Sequence, residues 1–235
     1  MDALRLRKLT DCVLALLVLL AAALLIDTAL HLQPTTAPEK ERPCLVIDAG
    51  HGGIDGGAVA FNGVKESDIN LAIASKLSLM ADFYGQANAM TRVDDSRRTD
   101  VLSYSEHEDL VYRTELINAV SHGVLISIHQ NFYPTSQPFG AQVLYADDDQ
   151  SRRFGVLTHG NIVSFLQPEN RRLAEPASPK LYITSHVSCP AILVECGFLS
   201  NMTDLDLLSS DRYQTSFAAV LLSSYLQFIH TKNYT

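Results

Sequence analysis

Cys44-Leu45-Val46-Ile47-Asp48-Ala49-Gly50-His51-Gly52-Gly53 runs from four apolar residues straight into a glycine-rich turn that carries an aspartate and a histidine. Apolar residues in succession, rather than in alternation, are what a strand covered on both faces requires. Residues 124–128 (Val-Leu-Ile-Ser-Ile, a single serine apart) and 191–194 repeat the pattern, the first ending at His129 and the second at Glu195. Helical spacing lies between these runs. In 66–82 the apolar positions are Ile69, Ile73, Leu77 and Met80, with Ala72 in a narrower spot. Residues 108–120, 152–165, 204–209 and 213–229 also read as helices, and 86–91 and 141–145 as strands. The alternation predicts an α/β fold: a single domain with a mostly parallel central sheet flanked by helices.

Upstream of this domain, Arg5, Arg7 and Lys8 precede an apolar run over 12–26 that reaches Leu32 if Asp27, Thr28 and His31 sit near its outer end. Such a run reads as an N-terminal transmembrane or signal helix. The small residues Ala21-Ala22-Ala23 lie inside the run and make a poor cleavage site, which favours an uncleaved membrane anchor. Basic residues ahead of the run place the rest of the chain on the outer, exported side. Residues 33–43 hold three prolines and almost nothing apolar, as an extended tether would. The expected organisation is therefore an anchor over 1–32, a linker over 33–43 and a folded domain over 44–235.

The 235 residues carry 18 Lys and Arg against 26 Asp and Glu, a net charge of -8. Nucleic acid is excluded as a partner on that balance, since affinity for phosphates needs a dense cationic face. Four cysteines without C-x-x-C spacing exclude a disulfide scaffold and a structural zinc knot. Cys44 and Cys189 begin two of the strands, and small buried thiols are their expected state.

In open α/β sheets ligands bind beyond the carboxyl ends of the strands, and three strands end on a titratable group: His51, His129 and Glu195. Glu66 opens the helix after the glycine-rich loop and can face His51. Two imidazoles and one carboxylate leave a zinc ion (Zn2+) with an open position, the arrangement of a catalytic site. A second carboxylate is then needed to carry a proton, and Glu195, behind four apolar residues, suits that role. On chemistry alone Asp48 and Asp55 are equally possible ligands.

These residues resemble those of the zinc-dependent N-acetylmuramoyl-L-alanine amidases, the amidase-3 family of cell-wall hydrolases. Val46 to Gly53 is similar to that family's first metal motif, and Glu66 stands where its metal-binding glutamate is expected. Thr91-Arg92 with Asp94 or Asp95, then 110–113 and Asn118, resemble its middle block. Ser127-Ile128-His129-Gln130-Asn131 resembles the segment with the second metal histidine, and 190–201 the block with the catalytic glutamate. The resemblance implies a peptidoglycan substrate cut between N-acetylmuramic acid and the L-alanine of the stem peptide. It also implies zinc on His51, Glu66 and His129, and Glu195 as general base and then acid. Chain length, the single N-terminal anchor, and Asn170-Arg171-Arg172 with Ala174 and Pro176 are similar to the CwlD subgroup of spore-forming bacteria. That subgroup strips stem peptides so that muramic δ-lactam can form in the cortex, which points to the forespore intermembrane space and leaves room for an activator protein. Residues 180–188 depart from its usual pattern.

Two other enzyme or binding classes remain: a zinc peptidase cutting within the stem peptide, and an idle wall-binding protein. Arg171 and Arg172 suit either a substrate carboxylate or solvent. Asp147 to Asp149 read as a solvated loop with calcium as a weaker option. His31, His107, His122, His159, His186 and His230 match no metal motif and read as surface or satisfied polar residues.

Overall fold

A computed structural model of the chain describes residues 42–95 and 105–231. The expected anchor over 1–32 and most of the linker lie outside these residues. Among the described residues no helix is long and apolar enough to cross a membrane. In chain order the elements are β1 (Cys44–Ala49), α1 (Glu66–Phe83), β2 (Asn88–Met90), α2 (Glu106–Asn118), β3 (Gly123–Asn131), β4 (Gln142–Tyr145), α3 (Asp149–Phe165), β5 (Glu175–Pro176), α4 (Tyr182–His186), β6 (Ala191–Phe198), α5 (Met202–Leu208) and α6 (Asp211–Ile229). The strands form one six-stranded sheet in the order β2-β1-β3-β6-β4-β5. Every pairing is parallel except β4 with β6, so the sheet is mostly parallel as expected.

The consecutive apolar residues serve two different faces. Leu45, Ile47, Val124, Ile126, Ile128, Ile192 and Val194 enter the main core beneath α1, α3 and α6. Their neighbours of opposite parity, Val46, Leu125 and Ala191, enter a smaller core beneath α2 and α4. Side chains alternate along a strand, so Asp48, Ser127, His129 and Glu195 all emerge on that second, thinly covered face. In α1 the small residues that let the helix approach the sheet are Ala74 and Ala81, both fully buried, rather than Ala72.

Three helices start earlier than their apolar spacing indicates because a polar side chain caps the new first turn: Ser105 for α2, Asp148 for α3 and Asn201 for α5. The triple aspartate is thus a helix start rather than a solvated loop, with Asp148 accepting from the backbone N–H groups of Gln150 and Ser151. β3 and β6 run on past His129 and Glu195. Both residues therefore sit within strands, not just beyond them, directly opposite one another in register and next to a bulge between His129 and Asn131. β1 and β6 are separated by β3, so Cys44 and Cys189 start non-adjacent strands, and both are free thiols. β5 and α4 have no sequence signal; they are two and five residues long.

Candidate metal centre and its cleft

Asp48 anchors the site from below. It is fully buried and accepts from Ser127 Oγ at 2.6 Å, Thr91 Oγ1 at 2.7 Å and Arg113 Nη1 at 3.0 Å. Burial works against its charge, but the Arg113 guanidinium, His129 and the two hydroxyls hold its carboxyl below the usual range. Both oxygens are engaged in this network, so Asp48 supports the turn and is not a ligand.

The turn itself is pinned by two guanidinium groups. Arg113 donates to the carbonyls of Ala49 (2.7 Å) and His51 (2.6 Å), and Arg92 to those of Ala49 (2.9 Å) and Gly50 (3.1 Å). Arg113 also pairs with Asp109 at 2.8 Å. This grip holds His51 in the left-handed region, at φ 60°, where a non-glycine residue is strained. The strain turns the imidazole toward α1. Its Nδ1 meets Asp55 Oδ2 at 2.7 Å, and the other Asp55 oxygen accepts from the Gly57 N–H at 2.9 Å. Asp55 therefore orients His51 and leaves Nε2 facing the site, as carboxylate partners of metal-binding histidines do.

Glu66 opens α1, and its carboxylate is fixed from several sides. Oε2 accepts from the Ala58 N–H at 2.9 Å and Oε1 from the Gln130 N–H at 3.0 Å. Oε1 also lies 3.0 Å from His129 Nδ1 and 3.3 Å from His51 Nε2. Gly50 and Gly57 allow this crowding. A methyl group on Gly50 would stand 2.2 Å from the His129 ring, and one on Gly57 2.6 Å from Glu66 Oε2.

The ligand atoms of His51, Glu66 and His129 all lie within 4.8 Å of one another. Two imidazole nitrogens and a carboxylate oxygen converging from three elements are a donor set that fits zinc with a position to spare. Burial penalises the charged forms of His51 and Glu66. Nevertheless Glu66 is held well below the ordinary carboxylate range by the two histidines, while Glu66 and Asp55 push His51 up to about 9. Such mutual dependence is how a cation-binding cluster behaves when its own side chains supply the compensating charge.

Glu195 differs from Glu66 in kind. It faces the same cleft of about 260 Å3, together with His51, His129, Arg113, Tyr182 and Lys180. Its Oε2 is buried without a hydrogen-bond partner. Burial pushes its carboxyl up to about 7; Glu66 adds to the rise and the histidines oppose it. A carboxyl whose pKa burial raises toward neutrality, one strand from His129 of that cluster, is placed to act as a general base and acid.

The structure brings all four expected site residues together. It assigns others to structural roles. Arg172 donates to Phe139 O and Gln142 Oε1 and lies over the Phe198 ring, and Arg171 donates to Pro168 O. His159 bonds Arg172 O at 2.7 Å, and His186 stacks on Tyr182. The supporting roles of Asp55, Arg92 and Arg113 were not derivable from spacing. The signals available were a charged residue at 113 on the helix face that carries Leu110 and Ile117, and a carboxylate four residues after His51.

Residues 45–224 match the Amidase_3 family, N-acetylmuramoyl-L-alanine amidase. The germination-specific N-acetylmuramoyl-L-alanine amidase of Bacillus subtilis (strain 168) is 31% identical over 199 residues, covering 80% of each chain. Among solved structures, the CwlD amidase from Clostridioides difficile, in complex with the GerS lipoprotein, is similar with a TM-score of 0.76 and 30% identity. That match covers 80% of this chain and 98% of the other. An N-acetylmuramoyl-L-alanine amidase from Clostridium difficile 630 is similar with a TM-score of 0.72 and 26% identity, covering 82% of this chain and 99% of the other.

Proposed function

The chain belongs to the N-acetylmuramoyl-L-alanine amidase family, Amidase_3, and on that basis we propose that it hydrolyses the amide between the lactyl group of N-acetylmuramic acid and L-alanine in peptidoglycan. One observation carries this reading: Glu195, with one carboxyl oxygen buried and unpartnered, stands in register with His129 beside the His51, Glu66 and His129 cluster.

His51 Nε2, Glu66 Oε1 and His129 Nδ1 would hold zinc, with Asp55 fixing the first ring and the Gln130 and Ala58 N–H groups fixing the carboxylate. When bound, zinc polarises the scissile carbonyl and makes water acidic enough to attack at neutral pH. Glu195 takes the proton from the attacking water and hands it to the alanine nitrogen as the carbon–nitrogen bond breaks. The products are a free lactyl carboxylate and a free amine, and Glu195 returns to its starting state. Glu195 itself follows four fully or nearly buried residues of β6, Ala191, Ile192, Leu193 and Val194.

The likeness to the germination-specific enzyme supports a role in the spore cortex, where stem-peptide removal precedes muramic δ-lactam formation. We place the domain outside the membrane, joined by the 33–43 tether to an anchor over 1–32, in the forespore intermembrane space. The complex formed by the Clostridioides difficile relative with a lipoprotein supports a protein activator of similar kind here.

The test is mass spectrometry of peptidoglycan digested by the zinc-supplemented full chain in detergent, with a candidate lipoprotein added in a parallel sample. Free stem peptides and bare lactyl-muramic acid are expected. Cuts within the stem peptide would make the chain a zinc peptidase instead, and no release in either sample would make it an idle wall-binding protein.

A further inference from the structure

The sheet has two ends, and the described chain enters at the one away from the site. Pro43 O is gripped by Gln86 Nε2 at 2.7 Å and by the Tyr225 hydroxyl at 3.0 Å, beside the last turn of α1. β1 then carries the chain to His51, and α1 brings it back. With 18 residues, α1 spans about 27 Å from Glu66 in the site to Phe83 at the opposite end.

At that far end α1 and α6 leave an apolar face uncovered. Phe83 is 86% exposed, Leu79 70% and Tyr84 69%. Between the helices runs an open groove of about 690 Å3 whose walls include Met80, Phe83, Tyr84, Leu222 and Leu226. Exposed large apolar side chains gathered in one place mark an interaction surface. Tyrosine settles at a bilayer's headgroup boundary, its ring in the apolar layer and its hydroxyl in water, and phenylalanine and leucine form the apolar face of helices that lie on such a surface.

We propose that this face rests on the surface of the membrane that holds the N-terminal anchor, so that the metal site points away from the lipid. The proposal rests on the anchor reading above. Pro43 ends the tether at the same end of the sheet as the face. The eleven residues 33–43 reach at most about 40 Å when fully extended, so the face never moves far from the bilayer. Tethering of this kind gives an effective concentration in the millimolar range, so the patch needs little affinity of its own. With its C-terminal end on the lipid, α1 acts as a spacer of about 27 Å that presents the cleft toward the wall.

The chain contains no tryptophan, so a single introduced indole reports its own surroundings. Full-length Phe83→Trp, Leu79→Trp, Tyr133→Trp and Leu20→Trp would be reconstituted in vesicles of phosphatidylcholine and phosphatidylglycerol with and without brominated acyl chains. Bromolipid is expected to remove most of the emission of Phe83→Trp, Leu79→Trp and Leu20→Trp and to leave Tyr133→Trp, on the site side after β3, unchanged and open to iodide. Quenching of Leu20→Trp alone would keep the anchor and overturn the docking. If the indoles at 79 and 83 were shielded from iodide yet unquenched, protein rather than lipid would cover the face, whether a second copy or another chain. Quenching of none would overturn both anchor and docking, and quenching of Tyr133→Trp would overturn the orientation.

Discussion

The turn-and-helix side of the cleft and the β6 side treat a buried carboxylate in opposite ways. Around Glu66 every oxygen has donors, and around Asp48 three donors converge, so both remain ionised and immobile. Glu195 instead follows Ala191, Ile192, Leu193 and Val194, and one of its oxygens has no partner. A metal ligand must hold one charge state in one place, whereas a proton carrier must exist in two. The same side chain meets both demands because its surroundings, not its chemistry, set the pKa.

The largest expected effect tests that division directly. Glu195→Gln should lower kcat by about 100- to 10,000-fold, the usual worth of a positioned acid–base group, while zinc stoichiometry by elemental analysis stays that of the wild type. Loss of zinc in this variant would place Glu195 on the ligand side and erase the contrast. Next in size, Arg113→Met leaves Asp48 and Asp109 as buried charges without their cation. Urea unfolding should show a loss of about 3–5 kcal/mol, and a wild-type midpoint would mean that the turn is held by other means.

A smaller change separates orientation from ligation. Asp55→Asn keeps the bond to the Gly57 N–H but loses the charge on His51 Nδ1, so zinc affinity measured by chelator competition should weaken about 10- to 100-fold. At saturating zinc, kcat should be nearly that of the wild type; a collapse of kcat there would give Asp55 a part in the chemistry itself.

The smallest effect concerns pH. In chelator-treated protein, the Glu195 carboxyl is raised from 4.5 to about 7. The folded state then binds its proton more tightly than the unfolded state, so its contribution to stability is complete below pH 4.5 and is lost as pH rises through 7. The unfolding midpoint of Glu195→Gln should therefore gain on the wild type between about pH 5 and pH 8. A gap that does not change with pH would return Glu195 to an ordinary carboxylate.

Much of this was legible in the sequence because burial on two faces leaves a mark. The apolar runs at 45–47, 124–126 and 191–194 could only be interior strands, and the alternation with helical spacing made their parallel order the natural one. His51, His129 and Glu195 stood out as titratable groups at the ends of such runs. What the runs did not reveal was where pairing stops. β3 and β6 continue beyond His129 and Glu195 because each supplies the other's backbone partners, which puts the two side chains in register instead of at loose ends. Nor could spacing choose among Asp48, Asp55 and Glu66. Their roles depend on Arg113, Thr91 and Ser127, which are 65, 43 and 79 residues from Asp48 in the chain.

By itself, then, the sequence determined the fold class, His51, His129 and Glu195 as site residues and the end of the sheet on which they lie, since these follow from local periodicity and from where polar groups interrupt it. Only the tertiary structure decided which carboxylate joins the two histidines, which is held by donors beneath the turn and which keeps a buried oxygen without one. Those identities depend on how many donors reach each oxygen through space, and a linear pattern holds no record of distances between residues that meet only when the sheet closes.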